Sequence, residues 1–174
     1  GVEVQTVEHF MSALWGMGID NAYVEVSSAE LPGADGSAGP FVALLKSAGL
    51  TAQEAPRRFF SPREPVMVDD GEASITVFPD RALQVSYTLS YDHPLLKAQF
   101  VSFGRNGDSF EAHVAPARTF CLAEEAEALR AKGYGKGASY ENTLVIGNGG
   151  VIQNTLRFDD ECARHKLLDL LGDL

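Results

Sequence analysis

Cysteine is scarce in this chain. Cys121 and Cys162 are its two thiols in 174 residues. Two thiols build no disulfide framework, so a reducing, cytoplasmic location is expected. Basic residues are outnumbered as well. Fourteen lysines and arginines face 24 acidic residues, for a net charge of -10. Such a surface repels phosphate backbones and excludes nucleic acid as an expected partner, although a local basic pocket could still accept a small phosphorylated ligand. No apolar run approaches the roughly 18 residues of a membrane span, so no transmembrane segment is expected. The opening GVEVQTVEHF lacks the basic and apolar regions of a secretory signal. What is present is ordinary for a globular protein: 45% apolar and 22% charged residues, enough for one good core or two small ones.

The apolar pattern divides the chain into elements. Thr6 is placed to cap a helix from about Val7 to Trp15, with Phe10, Met11, Leu14 and Trp15 as its stripe and Gly16 and Gly18 ending it. In NAYVEVSS, Ala22, Val24 and Val26 alternate with Tyr23 and Glu25, which predicts a half-buried strand. AELPGADGSAGP is turn-rich and reads as a loop; Pro40 then opens a helix to about Ser47, stopped by Gly49. TAQEAPRR reads as a boundary. Beyond it, PVMVDDGEASITVF predicts a hairpin turning at Asp70-Gly71. LQVSYTLSY and AQFVSF follow as strands, then a helix from about Leu122 to Ala131. TLVIG and VIQNTLRF predict another strand pair. Asp159 or Asp160 opens a last helix reaching about Leu171, its buried stripe drawn from Leu167, Leu170, Leu171 and Leu174. The chain begins just before one helix pattern and stops just after another, which reads as a piece of a longer protein.

The last helix carries the clearest chemistry. His165 and Asp169 lie four apart and share a helix face, with Cβ atoms about 5–6 Å apart, a spacing that can grip a metal ion from one side. The same spacing also describes a surface i,i+4 pair. Glu8 and His9 open the first helix. A histidine there is held neutral by the helix dipole, which suits metal ligation, and a neighbouring glutamate can serve as general base; an acidic first turn beside an ordinary histidine is the plainer reading. His9, His165 and Asp169 together form a two-histidine, one-carboxylate set. Catalytic zinc takes three such protein ligands and keeps one position open.

Longer stretches carry a resemblance. TVEHFMSALWGMGIDNAYVEV, AELPGADGSAGPFVALLKSAG, EAHVAPARTFCLAEEAEALRAKGYGKGASYENTLV and LRFDDECARHKLLDLLGDL occur in this order and span nearly the whole chain. They resemble the UDP-3-O-acyl-N-acetylglucosamine deacetylase family, zinc-dependent enzymes of lipid A synthesis in Gram-negative bacteria. The resemblance implies an α+β fold of two sandwich-like domains, each a sheet layered against helices. Residues 1–57 would be an incomplete first domain and 58–174 most of a second, with an acyl-passage insert at about 120–155. The substrate would be a UDP-linked acylated amino sugar that loses its N-acetyl group as acetate, and the protein would be a monomer. Zinc would be held by His9, His165 and Asp169, with Fe2+ able to replace it.

Further roles come from the same resemblance. Glu8 matches the general base, Thr119 the hydroxyl that binds the oxyanion, and Lys166 a lysine that faces developing charge or the substrate's phosphates. Asp173 matches the carboxylate that orients a general-acid histidine. That histidine falls beyond Gly-Asp-Leu in the family and is absent from this chain, so a non-catalytic fragment that binds zinc or ligand is the alternative reading. His93 looks structural and His113 solvent-facing. Phe120 matches the mouth of the acyl passage, although plain core fits equally. Leu129, Tyr134, Leu144, Val145 and Ile146 could line that passage or an ordinary core. Asp35 is either near the active site or a turn former. Cys121 reads as a small core residue.

Overall fold

The computed structural model describes residues 1–104, 108–133 and 135–174. Tyr134, one of the residues expected along an acyl passage, lies outside them. Helix α1 (Glu8–Met17) runs through Gly16, two residues past its expected end, and stops at Gly18, which takes φ 72° and whose N–H bonds the carbonyls of Leu14 and Trp15. Its start departs from expectation. Val7, not Thr6, holds the N-cap position, with no side-chain cap. Backbone bonds from Gln5 to Ala29 and from Leu31 to Gln5 tie the opening residues to the following loop. Thr6 is thereby held at φ 57°, and its hydroxyl donates to the Glu30 carboxylate at 3.0 Å. Met11 also leaves the predicted stripe and stays exposed, while His9, Phe10, Ser12 and Ala13 are buried.

Residues 22–26 form no strand. Their alternation is real, but a strand requires a hydrogen-bonded neighbour. Among the described residues no strand pairs with this stretch, and Val24 and Val26 remain exposed. Helix α2 (Gly39–Ala48) has its proline in the first turn and Gly49 as its stop, as expected.

The predicted hairpin is present. Strands β1 (Val66–Asp69) and β2 (Ser74–Val77) pair antiparallel, and the Asp70 carboxylate accepts the N–H groups of Glu72 and Ala73 across the turn. Strands β3 (Gln84–Leu89) and β4 (Gln99–Gly104) also pair antiparallel, from Gln84 opposite Gly104 to Leu89 opposite Gln99. Val85 and Leu89 point into the core while Gln84, Ser86 and Thr88 face outward, the alternation of a half-buried strand. A short helix, α3 (Phe110–His113), and strand β5 (Phe120–Leu122) were not anticipated. Helix α4 (Ala123–Ala131) matches its expected span. Strand β6 (Leu144–Gly147) sits between β5, to which it is parallel, and β7 (Gly150–Ile152), to which it is antiparallel.

Helix α5 (Glu161–Asp173) organises the rest. It packs against α1 on one side and against β3 and β4 on the other, while α2 backs α1. Coverage from two directions buries more than one stripe. Leu167, Leu168 and Leu171 are inside, whereas Leu174, expected to be buried, is exposed. The main cluster joins Phe10, Phe41 and Ala13 to Leu89, Phe103, Leu144 and the α5 leucines. Buried side chains of this kind each contribute about 1.5–3 kcal/mol relative to exposure. The class is α+β, as the sequence indicated, with the strands in small separate sheets. Among the described residues no helix is long and apolar enough to cross a membrane.

Candidate metal centre

The α1–α5 contact brings two distant parts of the sequence together. Gly172 makes the approach possible: a Cβ there would collide with the Glu8 carbonyl, so the start of α1 rests directly on the last turn of α5. His9, on the first turn of α1, then reaches Asp169 and His165, which share a face of α5. One ligand atom from each of the three lies within 4.8 Å of the others. The His9 and His165 rings meet edge to face, with centroids 4.9 Å apart.

Hydrogen bonding orients the three side chains. His165 Nδ1 lies 3.0 Å from the buried Ala117 carbonyl, so Nδ1 carries the proton and donates. Its Nε2 is then a lone pair. Burial pushes the His165 pKa down to about 4, so the ring is neutral at pH 7. Asp169 divides its carboxylate: Oδ2 accepts from Lys166 Nζ at 2.9 Å, while buried Oδ1 has no hydrogen-bond partner. That oxygen stands 3.3 Å from His165 Nε2 and 3.6 Å from His9 Nε2. A lone pair facing a carboxylate at this distance is repulsive unless a cation lies between them. Two imidazoles, an orphaned carboxylate oxygen and a fixed tautomer fit a divalent metal with nitrogen and oxygen preference. Burial opposes charge on Lys166, but the Asp169 carboxylate outweighs it and holds the ammonium pKa above its usual value.

The surrounding support was not foreseen from sequence. Arg118 and Glu161 form a buried ion pair, 2.9 Å from Nε to Oε1. Arg118 also donates to Asn154 Oδ1 and to the Thr155 carbonyl. Glu161 accepts from the backbone N–H of Arg118 and of Arg157. A buried pair of this kind is tolerated only when its remaining donors and acceptors are satisfied, which these contacts achieve. Arg157 goes on to bond the Pro116 carbonyl and Asp35. Asp160 holds the N-cap position of α5, as expected, but makes no side-chain cap bond. Its carboxylate holds Arg164, and Gln99 accepts the Ala163 N–H instead.

The other predicted positions fall around this centre. Glu8 is half-buried at the start of α1, one residue before His9. Thr119 follows the Ala117–Arg118 segment; its N–H donates to the Gly36 carbonyl and its own carbonyl accepts from Leu144. Asp35 is a turn former, taking both the N–H and hydroxyl of Ser37, and it also holds Arg157. Phe120 is partly buried, with its ring edge-to-face on Tyr91 at 5.9 Å. Asp173 is exposed on the last turn of α5. His93 is buried and accepts the Leu95 N–H, a structural role, while His113 is exposed. Cys121 is half-buried, and burial raises its pKa.

Comparison with known proteins identifies the family. The family profile described as UDP-3-O-acyl N-acetylglycosamine deacetylase matches residues 1–174. The chain belongs to this family. A UDP-3-O-acyl-N-acetylglucosamine deacetylase of Pseudomonas entomophila is 46% identical over 176 residues, which covers 99% of this chain and 58% of the relative. Proteins of the same name from Syntrophotalea carbinolica and Geobacter sp. are 41% and 44% identical, over 99% and 98% of this chain and 56% of each relative. The chain therefore spans somewhat more than half the length of the curated relatives it matches. His9, His165, Asp169 and Glu8 all lie in segments that carried the resemblance to the family.

Proposed function

We propose that this chain supplies the metal centre of a deacetylase that hydrolyses the N-acetyl group of UDP-3-O-(3-hydroxyacyl)-N-acetylglucosamine, releasing acetate in the committed step of lipid A biosynthesis. The observation that carries the reading is the convergence of His9, His165 and Asp169 on one point, with Asp169 Oδ1 buried and unpartnered there. Zn2+ is the preferred occupant, with Fe2+ as an alternative. When bound, such an ion supplies positive charge that polarises an amide carbonyl and acidifies water.

The chain's own side chains take the remaining roles. Glu8, next to His9, receives the proton from the attacking water and makes it a nucleophile. The Thr119 hydroxyl donates to the oxygen that turns anionic as the amide carbon becomes tetrahedral. Lys166, held close by Asp169, adds a cation toward that charge or toward the diphosphate. Asp173 is placed to orient the general-acid histidine that the family resemblance puts after Gly-Asp-Leu, which would protonate the departing amine. Phe120 and the segment at about 120–155 line the acyl passage, in a second domain that begins near residue 58. Two unpaired cysteines suit a cytoplasmic enzyme, and the protein acts as a monomer.

Titration of the natural protein with Zn2+ after chelator treatment tests the reading. One ion should bind per chain, and His165→Ala and Asp169→Ala should each weaken binding by at least tenfold. Unchanged affinity in His165→Ala would remove the basis for the proposal. A coupled assay should detect acetate from the acylated UDP-sugar.

A further inference from the structure

We infer that Glu161 is a positioning residue for the metal centre, acting on His165 through the single peptide unit between Ala117 and Arg118. The inference rests on the reading of His165 as a metal ligand. The carbonyl of this peptide accepts the His165 Nδ1 proton at 3.0 Å, and its N–H donates to Glu161 Oε1 at 3.1 Å. Glu161 and His165 are i and i+4 on α5 and so lie on one helix face. That face grips one peptide plane by both ends. Glu161 is fully buried, His165 nearly so.

The arrangement has an electrostatic consequence. Histidines that bind metals usually donate their second N–H to a carboxylate or carbonyl, which fixes the ring and raises its basicity. Here a carboxylate and a carbonyl act in series. The charge on Glu161 polarises the peptide, which strengthens its carbonyl as an acceptor and draws on the Nδ1 proton. Nε2, the atom that faces Asp169 Oδ1, becomes the better electron donor. Arg118 aligns both Glu161 oxygens, through Nε at 2.9 Å and NH2 at 3.2 Å. Thr119 follows directly, so the same grip fixes the backbone from which its hydroxyl projects.

The test begins with the unmodified protein. Nitrogen-15 NMR of histidine-labelled, metal-free protein near pH 7 should show His165 as the Nδ1–H tautomer, with a slowly exchanging, downfield proton. Finding the proton on Nε2 would overturn the inference. Glu161→Gln should move that proton upfield and weaken Zn2+ binding roughly tenfold. Asn154→Ala removes a bond to Arg118 but leaves the peptide held, and should change both by less than twofold. Because Glu161→Gln leaves the Arg118 cation buried alone, the pair Arg118→Met/Glu161→Gln provides a variant without that stranded charge, and it should show the same tenfold loss. Native affinity and an unmoved Nδ1 proton in either folded variant would refute the relay. Failure of the metal reading looks different: no saturable Zn2+ binding by the unmodified protein, in which case both proposals fall.

Discussion

Asp169 is divided between two partners, one oxygen given to Lys166 and the other turned toward two imidazoles. Glu8, beside this group but outside it, should be separable from it. Glu8→Gln is expected to lower deacetylation by 10²- to 10⁴-fold while Zn2+ affinity stays within about threefold, as calorimetry and the acetate assay can jointly show. His165 gives a pH prediction. Burial holds its folded-state pKa at about 4, below the value of roughly 6.5 expected when unfolded. Between these values the unfolded chain binds more protons, so stability falls as pH drops. Metal-free protein should lose up to about 3 kcal/mol from this group between pH 6.5 and 4. Urea denaturation at several pH values should show the loss in the natural protein and a shallower profile in His165→Gln; parallel profiles would contradict the assignment. The helical spacing of His165 and Asp169 fits a surface pair as well as a metal site, and it was the resemblance of the longer stretches that singled these residues out together with Glu8 and His9. Arg118 and Glu161 were not singled out. Both stand in the quoted stretches, but arginine and glutamate are seldom fully buried, and nothing local marks a pair 43 residues apart as interior.

Among the elements, the crossing of α1 and α5 decides the site. Gly172→Ala should push the Glu8 carbonyl away and take His9 with it. The expected result is about 1–3 kcal/mol of destabilisation together with a clear loss of Zn2+ affinity. Gly137→Ala has open space around it and should leave both properties unchanged. Equal effects from the two substitutions would remove Gly172 from its role. Elements with local signals were read well: α2 from its proline and glycine, the β1–β2 turn from Asp70-Gly71, and β3 from alternation. The misreadings share one cause, reliance on long-range partners. Thr6 has the right chemistry for a cap, but the bridge between Gln5 and Glu30 turns it away. Residues 22–26 alternate without a neighbour to pair with. Strand β5 is three residues long and owes its existence to β6, more than twenty positions later.

At the scale of the whole molecule, metal and stability should be linked. An ion that binds the folded chain and not the unfolded one stabilises it by about 2.7 kcal/mol at a hundredfold excess over Kd. Chelation should lower the thermal midpoint and stoichiometric Zn2+ restore it; a midpoint indifferent to both would show that the three side chains hold no ion. The α+β class was expected from the family resemblance. The layering of α1, α5 and the β3–β4 pair was not, because α5 is covered from two directions and its sequence shows a single stripe.

His9 and His165 stand 156 positions apart, and that separation sets a schedule. During translation the first of the three side chains emerges long before the other two. A nascent chain can close α1 early, yet it can capture no ion with this set until α5 has left the ribosomal tunnel. Loading of the proposed centre then cannot precede synthesis of that helix, and a polypeptide released before it would remain unable to load.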